Sequence, residues 1–202
     1  MFYLWYNNII MELRHYILNT NRYYAPQRSI ANNSEIHRIT LETATDIAFL
    51  CKKYAAEHVR SIPLTFAFFE QESAFDPVAY NGNYLGSNPA RTLERWDVGL
   101  CQLNLYWTSR ELKLSVEDTN TLALDYTRAL PYFFDRIAAD IAWAKTKAEG
   151  RVHPIHLAIE AYNKGKNGAL ALLAAKIPFT YAPKILKRAT SIAIKLGHKI
   201  YW

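Results

Sequence analysis

The run Leu64-Thr65-Phe66-Ala67-Phe68-Phe69-Glu70-Gln71-Glu72-Ser73-Ala74-Phe75-Asp76-Pro77 begins apolar, reaches two acids and carries helix punctuation on both sides. Upstream, Ser61 is a natural N-cap and Pro63 falls in the first turn, where a missing N–H does no harm. Downstream, Asp76-Pro77 stops the helix, because the residue before a proline is pushed out of the helical region. The spacing therefore predicts a helix from Leu64 to about Phe75. On it, Phe68 and Phe69 precede Glu72 by four and three residues and Phe75 follows by three, so all can share its face. A carboxyl against such a wall is disfavoured in its ionised form. That raises its pKa and suits it to hold a proton near neutral pH. Glu70 points elsewhere and is expected to face solvent. Taken alone, Glu72 has a plainer reading as a cap or ion-pair partner near a helix terminus.

Before this run, Leu41, Ala44, Ala48, Cys51 and Ala55 form a stripe with Ile47 beside it, while Glu42, Asp46, Lys53, Glu57 and Arg60 face the other way. That pattern predicts a helix from Thr40 to near Arg60, with Phe49 on the polar side. After the run, Val78 to Arg95 is rich in Asn, Gly, Ser and Pro, and Asn81-Gly82-Asn83 and Ser87-Asn88-Pro89 are turn signals. Further helices are expected near Thr121 to Ala148 with a break at Pro131, from His156 to about Asn163, and from Ala182 to Leu196 with Gly197 as the stop. Alternating β-branched runs are nearly absent. The expected fold is mainly α, a single domain over residues 41–202 with a loop-rich or small β insert after the helix that bears Glu72. Residues 1–40 show weak periodicity and read as loop around Gln27 to Glu35, so they are expected to be an N-terminal extension.

The chain has 202 residues, with 24 Lys plus Arg against 18 Asp plus Glu, and half of it is apolar. The length suits one core-forming domain, and the composition argues against disorder. No uncharged apolar run reaches the roughly 18 residues of a spanning helix. Met1 to Ile10 lacks a basic leader and a small-residue cleavage site, so no signal peptide is expected. Cys51 and Cys101 are too few for a disulfide framework or a Cys/His metal cluster, and free thiols are expected. Charge is uneven. No acid follows Glu160, whereas Lys164, Lys166, Lys176, Lys184, Lys187, Arg188, Lys195 and Lys199 do. Such a field attracts polyanions without choosing among nucleic acid, acidic lipid and wall polymer. No zinc-finger spacing or RNP-type strand is present, so nucleic acid is not the expected partner.

What turns Glu72 into a site is company. Glu72-Ser73-Ala74-Phe75-Asp76-Pro77 is followed by Trp96-Asp97-Val98-Gly99-Leu100-Cys101-Gln102-Leu103-Asn104, then Ala161-Tyr162-Asn163-Lys164-Gly165, then Tyr181-Ala182-Pro183-Lys184-Ile185-Leu186. In this order the four segments resemble the lysozyme-like lytic transglycosylases of the soluble (SLT) type, which cut the glycan strands of peptidoglycan. That family's pattern is Glu-Ser-x-Phe-x-Pro, Gly-Leu-Met-Gln, Ala-Tyr-Asn-x-Gly and a Tyr-containing helix start. The match spans roughly Leu41 to Leu186. Cys101 stands where the family has Met, a swap between soft, mostly buried side chains. Lys164 and Lys166 flank Gly165 where Ala and Pro are commoner, which sets them near the expected cleft. The Asn- and Pro-rich loop lengthens the interval between Glu72 and Gln102.

The resemblance implies that Glu72 is the catalytic acid and then base. It makes Ser73 a neighbour that contacts sugar or steadies the intermediate, and has Gln102 line the cleft. Tyr162, Asn163 and Tyr181 would face the carboxyl and the bound sugar. No metal or organic cofactor is implied, and the partner is the peptidoglycan glycan strand. Asp97, two residues before Gly99, keeps open a hydrolytic goose-type muramidase in which it serves as the second carboxylate. A third reading, from another class, is a non-catalytic protein that binds wall polymer or nucleic acid with its basic carboxyl-terminal region. Synthesis in the cytoplasm without a leader, and action in the periplasm or wall, would fit a phage lysin, a virion component or part of a secretion apparatus. Residues 1–40 would be available to dock such a partner.

Overall fold

Helix α1 runs Phe2–Asn32, α2 Leu41–Tyr54 and α3 Ile62–Glu72. A β segment follows, with β1 at Tyr80–Gly82, β2 at Tyr84–Leu85, β3 at Asn88–Pro89, β4 at Trp96–Val98 and β5 at Leu103–Asn104. Five helices complete the chain: α4 Leu105–Leu112, α5 Val116–Leu124, α6 Tyr126–Lys147, α7 Pro154–Ala174 and α8 Tyr181–Lys195. The computed structural model describes residues 2–32, 38–55, 61–82, 84–85, 88–89 and 96–198. The protein is mainly helical with a small sheet, as the sequence leads one to expect.

The chain divides into two compact units. The first is Met1–Cys51 with Phe69–Pro131, and the second is Lys52–Phe68 with Tyr132–Trp202. In the first, β1, β4 and β5 form an antiparallel sheet in that order, and β2 and β3 form a separate two-stranded ribbon. The register sets Asn81 opposite Asp97 and Asp97 opposite Asn104, so these three share one face. Val98 and Leu103, paired on the other face, are buried, and Tyr80 and Trp96 meet there at 5.9 Å between ring centres. Helices α4 and α5 pack on each other and on β4. Gly99 closes the turn after β4 at φ 77°, where an added Cβ would stand 1.9 Å from the Ala123 carbonyl oxygen. Only glycine fits there, for both reasons.

Phe2–Asn32 is helix, including the part of Gln27 to Glu35 that reads as loop and lies within the described residues. Its buried stripe, Leu13, Ile17, Thr20 and Asn21, is half polar, which hides the periodicity. Helix α2 buries Ala44, Ile47, Ala48 and Cys51 as expected, and Phe49 is exposed; the expected end near Arg60 lies outside the described residues. Asn81 and Gly82 belong to β1 instead of a turn, because pairing with Trp96–Asp97 claims them. The break expected at Pro131 falls at Asp125. Its side chain accepts from Thr127 N at 3.0 Å, and Pro131 sits inside α6.

In the second unit α7 packs on α8. A core of Ala144, Ala148, Leu157, Ala158, Ala161 and Ala169 is covered by larger neighbours such as Trp143, Leu173 and Phe179. Gly165 interrupts α7 at φ 72° and ψ 159°, after which the helix resumes to Ala174. The expected stop after Asn163 is therefore a kink. No described helix is long and apolar enough to cross a membrane.

Candidate active site

Glu72 is the last residue of α3 and is half-buried. The helix ends three residues before the expected Phe75, in a tight turn. There Ser73 N and Phe75 N both donate to Phe69 O, at 3.0 and 3.3 Å, and Ala74 and Phe75 adopt φ of 53° and 62°. Left-handed backbone costs a side-chain-bearing residue roughly 1–2 kcal/mol, so neighbours must hold this turn. Asn21 of α1 donates from Nδ2 to Ala74 O at 3.3 Å, and Phe75 packs edge-on against Phe69 and Tyr16. Tyr16 also donates its hydroxyl to the Glu70 carboxylate, so Glu70 is half-buried and bonded instead of facing solvent.

Ser73 is wholly buried, with Oγ 3.1 Å from Phe69 O and 2.8 Å from Leu100 O. Two carbonyls share its one proton and none of its surface is open to solvent. Ser73 Oγ thus ties the end of α3 to the turn after β4. Gln102, expected to line a cleft, is only 7 % exposed and has φ 48°. Its Nε2 donates to Ala79 O and Gly99 O, and its Oε1 accepts from Asn81 Nδ2. The same Asn81 amide reaches Glu72 O at 3.4 Å. Asp97 is half-buried and accepts from Asn104 Nδ2 at 2.8 Å; Asn104 in turn caps α4 by accepting from Trp107 N. The polar face of the small sheet is therefore Asn81, Asp97 and Asn104, one amide away from the backbone of Glu72. Asn81 and Asn104 were not singled out from sequence, because only strand register places them beside Asp97.

The second unit holds the other three residues. Phe68, fully buried, has Tyr162 at 5.0 Å and Tyr181 at 6.4 Å between ring centres. Tyr162 also meets Phe133 and takes the Arg136 guanidinium over its ring at 5.5 Å. Asn163 is exposed. Lys166 is engaged by Asp140 at 3.1 Å and lies over the Trp143 ring, which makes it a partner of α6. Glu160 was missed. It is wholly buried, and its Oε2 accepts from Tyr181 N at 3.1 Å and Ala182 N at 2.9 Å. This carboxylate caps α8, whose own N-cap residue Thr180 makes no side-chain cap bond. Its signal was visible, as the last acid of the chain set after Leu157-Ala158-Ile159.

Burial pushes the Cys51 and Cys101 thiols up, and the charge of Cys51 adds to the rise at Cys101, so neither offers a ready thiolate. Burial, then the hydrogen bond and charge of Asp46, push the Tyr126 hydroxyl up to about 12. Among the described residues no three His, Cys, Asp or Glu gather as a metal site.

No family model, no curated protein and no solved structure matches this chain.

Proposed function

We propose that the protein is a peptidoglycan lytic transglycosylase with a lysozyme-like arrangement, and that Glu72 is its single general acid and base. The observation that carries this reading is the setting of Glu72. An acid ends an aromatic-packed helix, and its own carbonyl is bonded to the polar face of a three-stranded sheet. Two further observations support it. The four motif segments occur in family order, and within the second unit Tyr162 and Tyr181, from two of those segments, both pack on Phe68.

In the proposed reaction, protonated Glu72 gives its proton to the glycosidic oxygen between N-acetylmuramic acid and N-acetylglucosamine as the bond breaks. The carboxylate so formed takes the proton of the muramoyl 6-hydroxyl. That oxygen closes on the anomeric carbon, leaving a 1,6-anhydro end and a restored acid. The substrate acetamido group stabilises the cationic centre, which removes the need for a second carboxylate.

A hydrolytic muramidase is the second reading. Asp97 favours it, since the sheet register places this carboxylate directly beside Asn81. Digestion of purified sacculi followed by mass analysis of the muropeptides separates the two. Anhydro products, lighter by one water, are expected, and fully hydrated ends would transfer the assignment to the hydrolase. Glu72→Gln is expected to abolish product release while folding and sacculus binding persist. Undiminished turnover in that variant would remove the catalytic reading and leave the binding one.

A further inference from the structure

We infer that Asn81 is a positioning residue for Glu72, an inference that rests on the catalytic reading above. Asn81 Nδ2 carries two protons and has two acceptors, Gln102 Oε1 and Glu72 O. Gln102 Nε2 likewise directs its two protons to Ala79 O at 3.2 Å and Gly99 O at 2.8 Å. Four amide protons meet four oxygens. Turning either amide over would set oxygen against oxygen, so the network admits one orientation.

The anchor of this network is rigid. Asn81 is paired with Asp97 across β1 and β4, Gly99 N donates to Ala79 O at 2.8 Å, and Gln102 N donates to Gly99 O at 3.1 Å. The other end is the last carbonyl of α3, one of the four that helix geometry leaves without a partner inside the helix. Its residue also carries the reacting carboxyl. Holding that peptide therefore fixes the origin from which the Glu72 side chain extends, and a misplacement of about 1 Å at a reacting group is enough to lower a rate about 100-fold.

Asn81→Asp keeps the volume and removes both donors when ionised, whereas its protonated form regains one. The test compares wild type, Asn81→Asp and Asn81→Ala on solubilised glycan strands, with kcat and KM resolved from pH 3.5 to 7.5 and folding followed by circular dichroism. The expected result is folded variants whose kcat falls about 10- to 100-fold at pH 7 with KM within about twofold of wild type. Asn81→Asp should recover toward wild type as the pH drops through the usual carboxylate range, whereas Asn81→Ala should not. An active wild type with an unmoved kcat in both variants overturns the inference alone, as does an equal loss at every pH in Asn81→Asp. Two variants that both fail to fold also overturn it, making Asn81 purely structural. A wild type that releases no product from any strand overturns the catalytic reading and this inference with it.

Discussion

Gly99 is the residue on which the first unit tolerates least. Its backbone is left-handed, and a methyl group would be driven to 1.9 Å from a main-chain oxygen that has no freedom to move aside. Gly99→Ala is expected to cost about 3 kcal/mol or more, read as a fall in the urea midpoint. Ala74 presents the opposite case, a side chain in a conformation that suits glycine, at φ 53°. Ala74→Gly is expected to raise stability by about 0.5–1 kcal/mol in the same assay, and no gain there would mean that the lost methyl packing outweighs the relieved backbone. At this scale the sequence was partly legible. Glu72 stands out by its type and its spacing to the phenylalanines, and Asp97 and the tyrosines through the resemblance alone. Asn21, Asn81 and Tyr16 do not, because each acts on a group many positions away that only the folded chain brings near.

The elements divide along the same line. Helices α2 and α8 bury apolar faces and α3 is buried on all sides from residue 63 to 69; Ser61 marks the start of α3 and Gly197 follows the end of α8, whereas α3 stops at Glu72, ahead of Asp76-Pro77. Helix α1 escaped because polar side chains occupy buried positions, and α4 because its N-cap Asn104 lies inside the second motif segment. The start of α7 has a pH response of its own. His153 caps it by accepting from Ile155 N through Nδ1, and His156 lies 6.2 Å away between ring centres. Burial first, and His153 second, hold the His156 pKa below 6.5. The unfolded chain then binds the extra proton in that interval, so this contribution to stability is present above about pH 6.5 and is lost as the pH falls. His156→Gln is expected to flatten the decline in thermal midpoint between pH 7 and 5, and an unchanged slope would assign that decline elsewhere.

For the molecule as a whole, eight cations and no acids follow Glu160, and Lys184 and Lys187 among them are exposed. Retention on anionic sacculi by an inactive Glu72→Gln protein is expected to fall steeply as salt shortens the Debye length from about 10 Å at 0.1 M to about 3 Å at 1 M. Retention indifferent to salt would exclude an electrostatic role for this region. The chain also passes between its two units at three points, after Cys51, Phe68 and Pro131, and the second of these lies within α3. Such interleaving means that no contiguous stretch of the gene encodes either half. No cut at a single bond separates the two units, since every such cut divides one of them or both. A single crossover thus cannot exchange one whole unit and leave the other untouched, and a split version could regain order only by reassembly of its pieces.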